Sequence, residues 1–347
     1  MDFSDALKLM KQGATIKRAE DINVSYEEAL NLAPPKLREK IQHSVELIRK
    51  AEKIALMYDP KNGFYNTFSG GKDSQALYYI VKMSGVKFWT HINFTSIDPA
   101  EVVRFVKTQY PSVICHKPRV SIYTSALEQK ILPTRTFRWC CADFKEIAGA
   151  GKVTLIGIRR AESFKRAKRN EVETSKKKFS GSLEEFEEWS AVQRKTKRKV
   201  NEDEFSVQSD NEVRCINGKE SILISPIIEW TDEEVWYFLN NIIKAPHCKL
   251  YDEGQYRIGC ILCPMATYRQ KLADIKRFPY VKEKWIKAIK EIRKKGGLQK
   301  QSYLPQGQHT EDEYAEAIFD WWISKKSYKQ WYAEKYLQLK INFNKKE

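Results

Sequence analysis

The stretch FSGGKDSQALYYIVK, residues 68–82, decides how this chain folds. An alternating run, GFYNTF (63–68), gives way there to apolar positions at helical spacing, with Leu77, Ile80 and Val81 on one face and Gly85 as a stop. A strand that ends in Ser-Gly-Gly and restarts as a helix aims unsatisfied backbone N–H groups at one point. The positive end of the helix dipole adds to them, so this is where a fold best holds an anion. Gly70 and Gly71 permit positive φ and a close backbone approach to an oxyanion. Lys72 adds a point charge, and Ser69 and Ser74 add hydroxyl donors. Asp73 repels a bare phosphate, so its role is to bind Mg²⁺ or to cap the turn. The Walker A spacing is absent, so this phosphate turn is of another kind.

Outward from that turn the alternation of strand and helix continues. KFWTHINF (87–94), SVICHK (112–117), KVTLIGIRR (152–160) and SILISPI (221–227) read as strands. DPAEVVRFVKTQY (98–110) and SIYTSALEQKI (121–131) read as the helices between them. Strands alternating with helices of this length predict an α/β fold, doubly wound around a mostly parallel sheet. Helical additions flank it: a polar-faced region over residues 1–58, and a Lys-, Trp- and Tyr-rich region over 266–347. The central domain spans 59–265 and is interrupted at about 162–220 by KRAKR, KKK and RKTKRK, with the acidic SLEEFEEW among them. Charge blocks of this kind predict a solvated insertion. Order returns at TDEEVWYFLNNI (231–242), where Thr231 and Glu234 make a capping box and Val235, Phe238, Leu239 and Ile242 an apolar stripe.

The formal charge is +16, from 61 basic and 45 acidic side chains, a balance that favours polyanionic partners such as nucleotides or nucleic acid. No apolar run approaches the ~18 to 20 residues of a membrane span, and no secretory leader is visible, so a cytoplasmic location is expected. Seven cysteines are present. In a cytosolic chain of this size they point to metal or redox chemistry rather than to a disulfide framework. RWCCADFKE (138–146) holds Cys140 and Cys141, and RIGCILCP (257–264) holds Cys260 and Cys263 at Cys-x-x-Cys spacing. Four thiolates of this kind suit a [4Fe–4S] cluster or, failing that, zinc.

SGGKDS at a strand-to-helix junction resembles the PP-loop of the ATP pyrophosphatase superfamily. RWCCADFKE, LIGIRRAES (155–163), PIIEWTDEEVWYFL (226–239) and KLYDEGQYRIGCILCP (249–264) extend the likeness to the phosphoadenosine phosphosulfate (PAPS) reductase family, from about Phe64 to Met265. The resemblance implies an adenine nucleotide alpha hydrolase-like fold. It implies nucleotide binding by Ser69, Gly70, Gly71, Lys72, Asp73 and Ser74, with Asn93, Thr95 and Asp98 beside the nucleoside. It also implies that Arg159 and Arg160 hold anionic groups, and that Cys140, Cys141, Cys260 and Cys263 are cluster ligands. Lys145 and Arg138 flank the cysteines and offset negative charge.

The likeness also breaks. Sulfonucleotide reductases use a nucleophilic cysteine near the C-terminus, and no cysteine follows Cys263 here. Cys248, in HCKLYDEG, and Cys215 are the candidate replacements, Cys248 as a nucleophile beside Lys72 and Asp73 or as a ligand in place of one member of the Cys-Cys pair. The loop itself is the lysine-bearing, ATP-type version. Together these point to an enzyme that binds ATP with Mg²⁺ and cleaves it at the α-phosphate, coupling that step to Fe–S-assisted sulfur transfer to an acceptor, with DNA or RNA as a candidate. The alternatives are a reductase of PAPS or adenylyl sulfate that releases sulfite, and a non-catalytic nucleotide- or nucleic-acid-binding accessory protein. The expected partners are an adenine nucleotide and a sulfur donor or thioredoxin-like reductant. A homodimer is a candidate assembly, and no membrane is expected.

Overall fold

A computed structural model describes residues 18–146, 149–202, 220–298, 310–324 and 326–337. The chain divides into two units by its internal contacts. The first comprises residues up to Asn93, Ala100–His116 and Ile147–Ile258, and the second Phe94–Pro99, Lys117–Glu146 and Gly259 onward.

The first unit is the doubly wound domain. Helices α1 (Tyr26–Leu32) and α2 (Pro35–Tyr58) precede strand β1 (Phe64–Thr67), which passes through the glycine turn into α3 (Lys72–Ser84). β2 (Phe88–Asn93), α4 (Ala100–Gln109), β3 (Ile114–His116) and β4 (Val153–Leu155) follow. Beyond them lie β5 (Val172–Thr174), β6 (Ser180–Gly181), α5 (Leu183–Glu202), β7 (Ile222–Ile224) and α6 (Asp232–Tyr237). The sheet order is β3-β2-β1-β4-β7-β5-β6. β1 pairs in parallel with β2 (Tyr65 opposite Trp89) and with β4 (Tyr65 opposite Thr154). The chain therefore runs outward from β1 to β3, then returns to β4 on the other side. That reversal puts the end of β1 at the switch point where doubly wound sheets bind ligands.

The expected faces are the buried ones. Leu77, Ile80 and Val81 of α3 are fully buried, and so are Val235 and Phe238 of α6 and its continuation. α2 packs on α3 and buries Ile41, Val45 and Ile48 completely, each contributing about 1.5–3 kcal/mol. Thr231 accepts from the Glu234 N–H at 3.2 Å, the capping box read from the sequence.

The charged insertion departs from expectation in part. β5 joins the sheet antiparallel to β7, with Val172 opposite Ile224, and Leu183 and Phe186 at the start of α5 are buried. A three-residue strand, Val-Glu-Thr, carries too little alternation to stand out among lysines. Residues 203–219, including Cys215, lie outside the described residues.

The second unit is built from the helices Tyr268–Arg277, Pro279–Lys294, Glu311–Ser324 and Tyr328–Tyr332, with Ile122–Gln129 and the turn Trp139–Cys141. Trp285, Ile289, Ile318, Phe319 and Trp322 form its core. The Trp322 indole N–H donates to the Pro133 carbonyl at 2.6 Å. Trp285, Trp322 and Trp331 are thus core residues, while Trp321 is only partly buried.

Candidate functional site

In the first unit the glycine turn is shaped as the sequence requires at one glycine and not at the other. Gly70 has φ +73°, and a Cβ there would approach Val106 Cγ2 to 3.0 Å. Gly71 is instead extended, with φ −87°, and forms the N-cap of α3. Its demand is space, since a Cβ would lie 3.3 Å from the Tyr251 hydroxyl. The serines tie the turn together: the Ser74 hydroxyl donates to the Gly71 carbonyl at 2.8 Å, and the Ser69 N–H donates to the Ser74 hydroxyl at 3.1 Å. On the other side Gly157, in Gly-x-Arg-Arg, lets the end of β4 come against the first turn of α3. A Cβ on Gly157 would sit 3.0 Å from the Asp73 carbonyl oxygen.

Charge is concentrated here and paired. Lys72 is buried, and its Nζ lies 3.1 Å from Asp232 Oδ1. Arg159, only 2% exposed, donates from Nε to Asp73 Oδ1 at 2.7 Å and from Nη2 to Asp232 Oδ1 at 2.8 Å. Its Nη1 donates to the Trp230 carbonyl at 3.3 Å. Burial pushes the Asp73 carboxyl up, against the pull of Lys72 and Arg159. Three rings face the Lys72 ammonium: Tyr256 at 5.0 Å, Tyr251 at 5.9 Å and Trp236 at 6.0 Å from their centroids. The Lys72 N–H donates to the Tyr251 hydroxyl at 2.9 Å. Burial pushes the Tyr251 phenol up, so that hydroxyl is neutral.

The expected site residues therefore divide. Ser69–Ser74 and Arg159 come together. Arg160 does not join them, because it is held by the Arg169 carbonyl and by Glu229. Asn93 is engaged with the Tyr65 phenol. Cys248 is 1% exposed, and burial pushes its thiol up, the state of a packed thiol and not of a nucleophile. Sequence reasoning missed Asp232, Trp236, Tyr251 and Tyr256 as site residues, although all four lie in the stretches that carry the family likeness.

The second unit gathers the thiols. Cys140 and Cys141 hydrogen-bond to each other, and that bond, burial and the neighbouring Cys263 and Cys260 push the Cys140 thiol up. The same bond, followed by Arg138, pulls Cys141 down. Cys260 is pushed up by burial against the opposing charge of Lys145 and accepts from the Thr95 hydroxyl at 3.4 Å. The Cys260–Cys263 turn is pinned from three directions. The Cys263 N–H donates to the Cys260 carbonyl at 3.2 Å, the Ile261 N–H to the Ile97 carbonyl at 2.9 Å, and the Leu262 N–H to buried Asp274 Oδ2 at 2.9 Å. Leu262 adopts φ +55° to make this turn. Thr95 and Asp98 belong to this unit, and the Thr95 N–H donates to Asp98 Oδ2 at 2.5 Å, so Asp98 braces the turn between them.

The six described cysteines are all free thiols. Among the described residues no three His, Cys, Asp or Glu side chains are grouped to hold a metal ion. Cys140 and Cys141 bond to one another with Cys260 and Cys263 as neighbours, and Cys260 accepts from Thr95 and lies beside Lys145. No metal site is grouped among these thiols as described, and no step below is routed through a metal or cluster bound to them.

The model of the phosphoadenosine phosphosulfate reductase domain matches residues 64–266. The chain belongs to that family. Two uncharacterized proteins of Methanocaldococcus jannaschii resemble it along most of its length. One is 28% identical over 82% of this chain and 62% of its own, the other 24% identical over 85% and 58%. The chain thus spans about three fifths of the relatives it matches. Among solved structures it resembles Candida glabrata FMN adenylyltransferase in complex with FAD and inorganic pyrophosphate, with TM-score 0.41, 15% identity, 72% of this chain and 73% of that one. It also resembles PAPS reductase from Candida auris in a phosphate complex, with TM-score 0.37, 16% identity, 66% of this chain and 96% of that one. No helix among the described residues is long and apolar enough to cross a membrane.

Proposed function

We propose that this PAPS-reductase-family chain is an ATP-cleaving sulfur-transfer enzyme. The carrying observation is the cradle: a buried Lys72 and the first turn of α3 at the switch point of the sheet, flanked by Asp73, Arg159 and Asp232. An ammonium and backbone N–H groups at a helix N-terminus hold the β- and γ-phosphates of a nucleotide, and Asp73 is the candidate ligand for the Mg²⁺ that would travel with it. Mg²⁺ would neutralise phosphate charge as it builds on the leaving group. An acceptor oxygen attacks the α-phosphorus, the bond to the bridging oxygen breaks, and pyrophosphate leaves with the electron pair. A sulfur nucleophile then displaces AMP from the activated acceptor. Positioning and fixed charge supply most of the catalysis.

Cys141 is the candidate sulfur-handling thiol, because Cys140 and Arg138 favour its thiolate. Net charge supports a nucleic acid as acceptor. The buried C-terminal tryptophans give that acceptor no support.

The test is an anaerobic preparation offered Mg-ATP and PAPS in parallel. Release of AMP and pyrophosphate from ATP is expected. Tightly bound but uncleaved ATP would overturn the proposal, and sulfite from PAPS would replace it with reduction of a sulfonucleotide.

A further inference from the structure

The groups that a phosphate would use at this cradle are already bonded within the chain. The Lys72 N–H, the first of α3, is bonded to the Tyr251 hydroxyl at 2.9 Å. The Lys72 ammonium is bonded to Asp232, which also takes Arg159. Tyr251 stands over the turn: its hydroxyl is the nearest atom to where a Cβ on Gly71 would point, at 3.3 Å. Its ring is edge-on to Trp236 at 4.9 Å.

We infer that Tyr251 is a plug, a neutral phenol that occupies the anion position of the cradle and is displaced by an incoming phosphate. This rests on the cradle being a nucleotide site. The chemistry favours displacement over co-ligation. A phenol oxygen that accepts from the Lys72 N–H lies where a phosphate oxygen would lie, and both want the same proton. The exchange replaces a neutral acceptor with a charged one, and charged acceptors make hydrogen bonds about twice as strong.

The backbone around Tyr251 is suited to a moving ring on a fixed base. Cys248 and Leu250, just before it in the chain, are buried. The Tyr251 N–H donates to the Cys248 carbonyl at 3.0 Å, and the Gly254 N–H donates to the Tyr251 carbonyl at 3.0 Å. Tyr256, 73% exposed, lies on the outer side of Lys72, where a displaced ring or a nucleotide would meet it. The packed Cys248 thus has a function in this arrangement, as the anchor of the plug.

Tyr251→Phe removes one oxygen atom and keeps the ring against Trp236, so the fold is retained. Calorimetric titration of wild type and variant with ATP, and separately with inorganic pyrophosphate, tests the plug. The variant is expected to bind both ligands roughly three- to tenfold more tightly, the scale of one neutral hydrogen bond no longer competing. An unchanged or weaker affinity for both, with wild-type binding intact, would overturn the plug and leave the nucleotide site standing. A change for ATP alone would also overturn it, making Tyr251 a contact to the nucleoside. If neither protein binds either ligand, the nucleotide-site proposal falls and the plug falls with it.

Discussion

The cradle of the first unit and the thiols of the second place charge by opposite rules. In the cradle each cation meets a carboxylate: Lys72 with Asp232, and Arg159 with both Asp73 and Asp232. Among the thiols like groups crowd, and Cys141, Cys260 and Cys263 each make ionisation of Cys140 harder. Lys145, Arg138 and the Thr95 hydroxyl offset that repulsion. A site of matched charges is stable as built, and it yields when a stronger ion enters. A site of crowded thiols keeps its protons until something removes them, and its reactivity concentrates on the member with the best donors. Here that member is Cys141.

Substitutions can break this contrast from either side. Cys141→Ser is expected to abolish sulfur transfer to any acceptor and to leave pyrophosphate release from ATP within about twofold, measured on one preparation. Lys72→Ala is expected to lower ATP cleavage by roughly 10²–10³-fold, the scale of losing one preorganised charge donor. Thiol titration should be unchanged in that variant. If either change abolished both activities equally, the assignment of separate chemistry to the two units would fail.

Smaller effects sharpen the same comparison. Asp274→Ala leaves the buried Leu262 N–H without its carboxylate and should cost about 1–3 kcal/mol in urea unfolding. Altered alkylation rates at Cys260 and Cys263 should accompany the loss. Gly70→Ala forces a side chain into left-handed backbone and toward Val106, and should cost about 1–2 kcal/mol. Nucleotide affinity should fall with it, while the thiols stay unaffected.

The pH dependence is the smallest effect over the neutral range. His91 is held down to about 4, first by burial and then by His116 and Lys152. Between that value and 6.5 the unfolded chain binds a proton that the folded chain excludes. Stability is therefore full above about 6.5 and falls as pH drops toward 4, and His91→Asn should flatten the fall in urea midpoint.

Local signals were legible in the sequence. The buried face of α3, the Thr231–Glu234 box and the positive φ at Gly70 all follow from spacing or residue type within a few positions. Gly71 was misjudged because a Gly-Gly pair does not say which glycine bears the strained angle. Asp232 read only as part of a capped helix, and Tyr251 as part of a family stretch. Their meeting with Lys72, 179 residues before Tyr251 in the chain, has no period to announce it. The same holds for Cys248, whose place in a motif suggested reactivity while its burial makes it a packing residue. β5 escaped notice because its neighbours' charges masked three residues of alternation.

Gly157 has a mechanical consequence. Because a Cβ on Gly157 would lie only 3.0 Å from the Asp73 carbonyl oxygen, the first turn of α3 has close backing on the β4 side, with room for little more than the missing methyl group. Room for a bulky anion must then be found on the opposite flank, so the cradle works like a vice with one fixed jaw. Whatever adapts to the size of the bound group does so from the side of Tyr251 and Asp232.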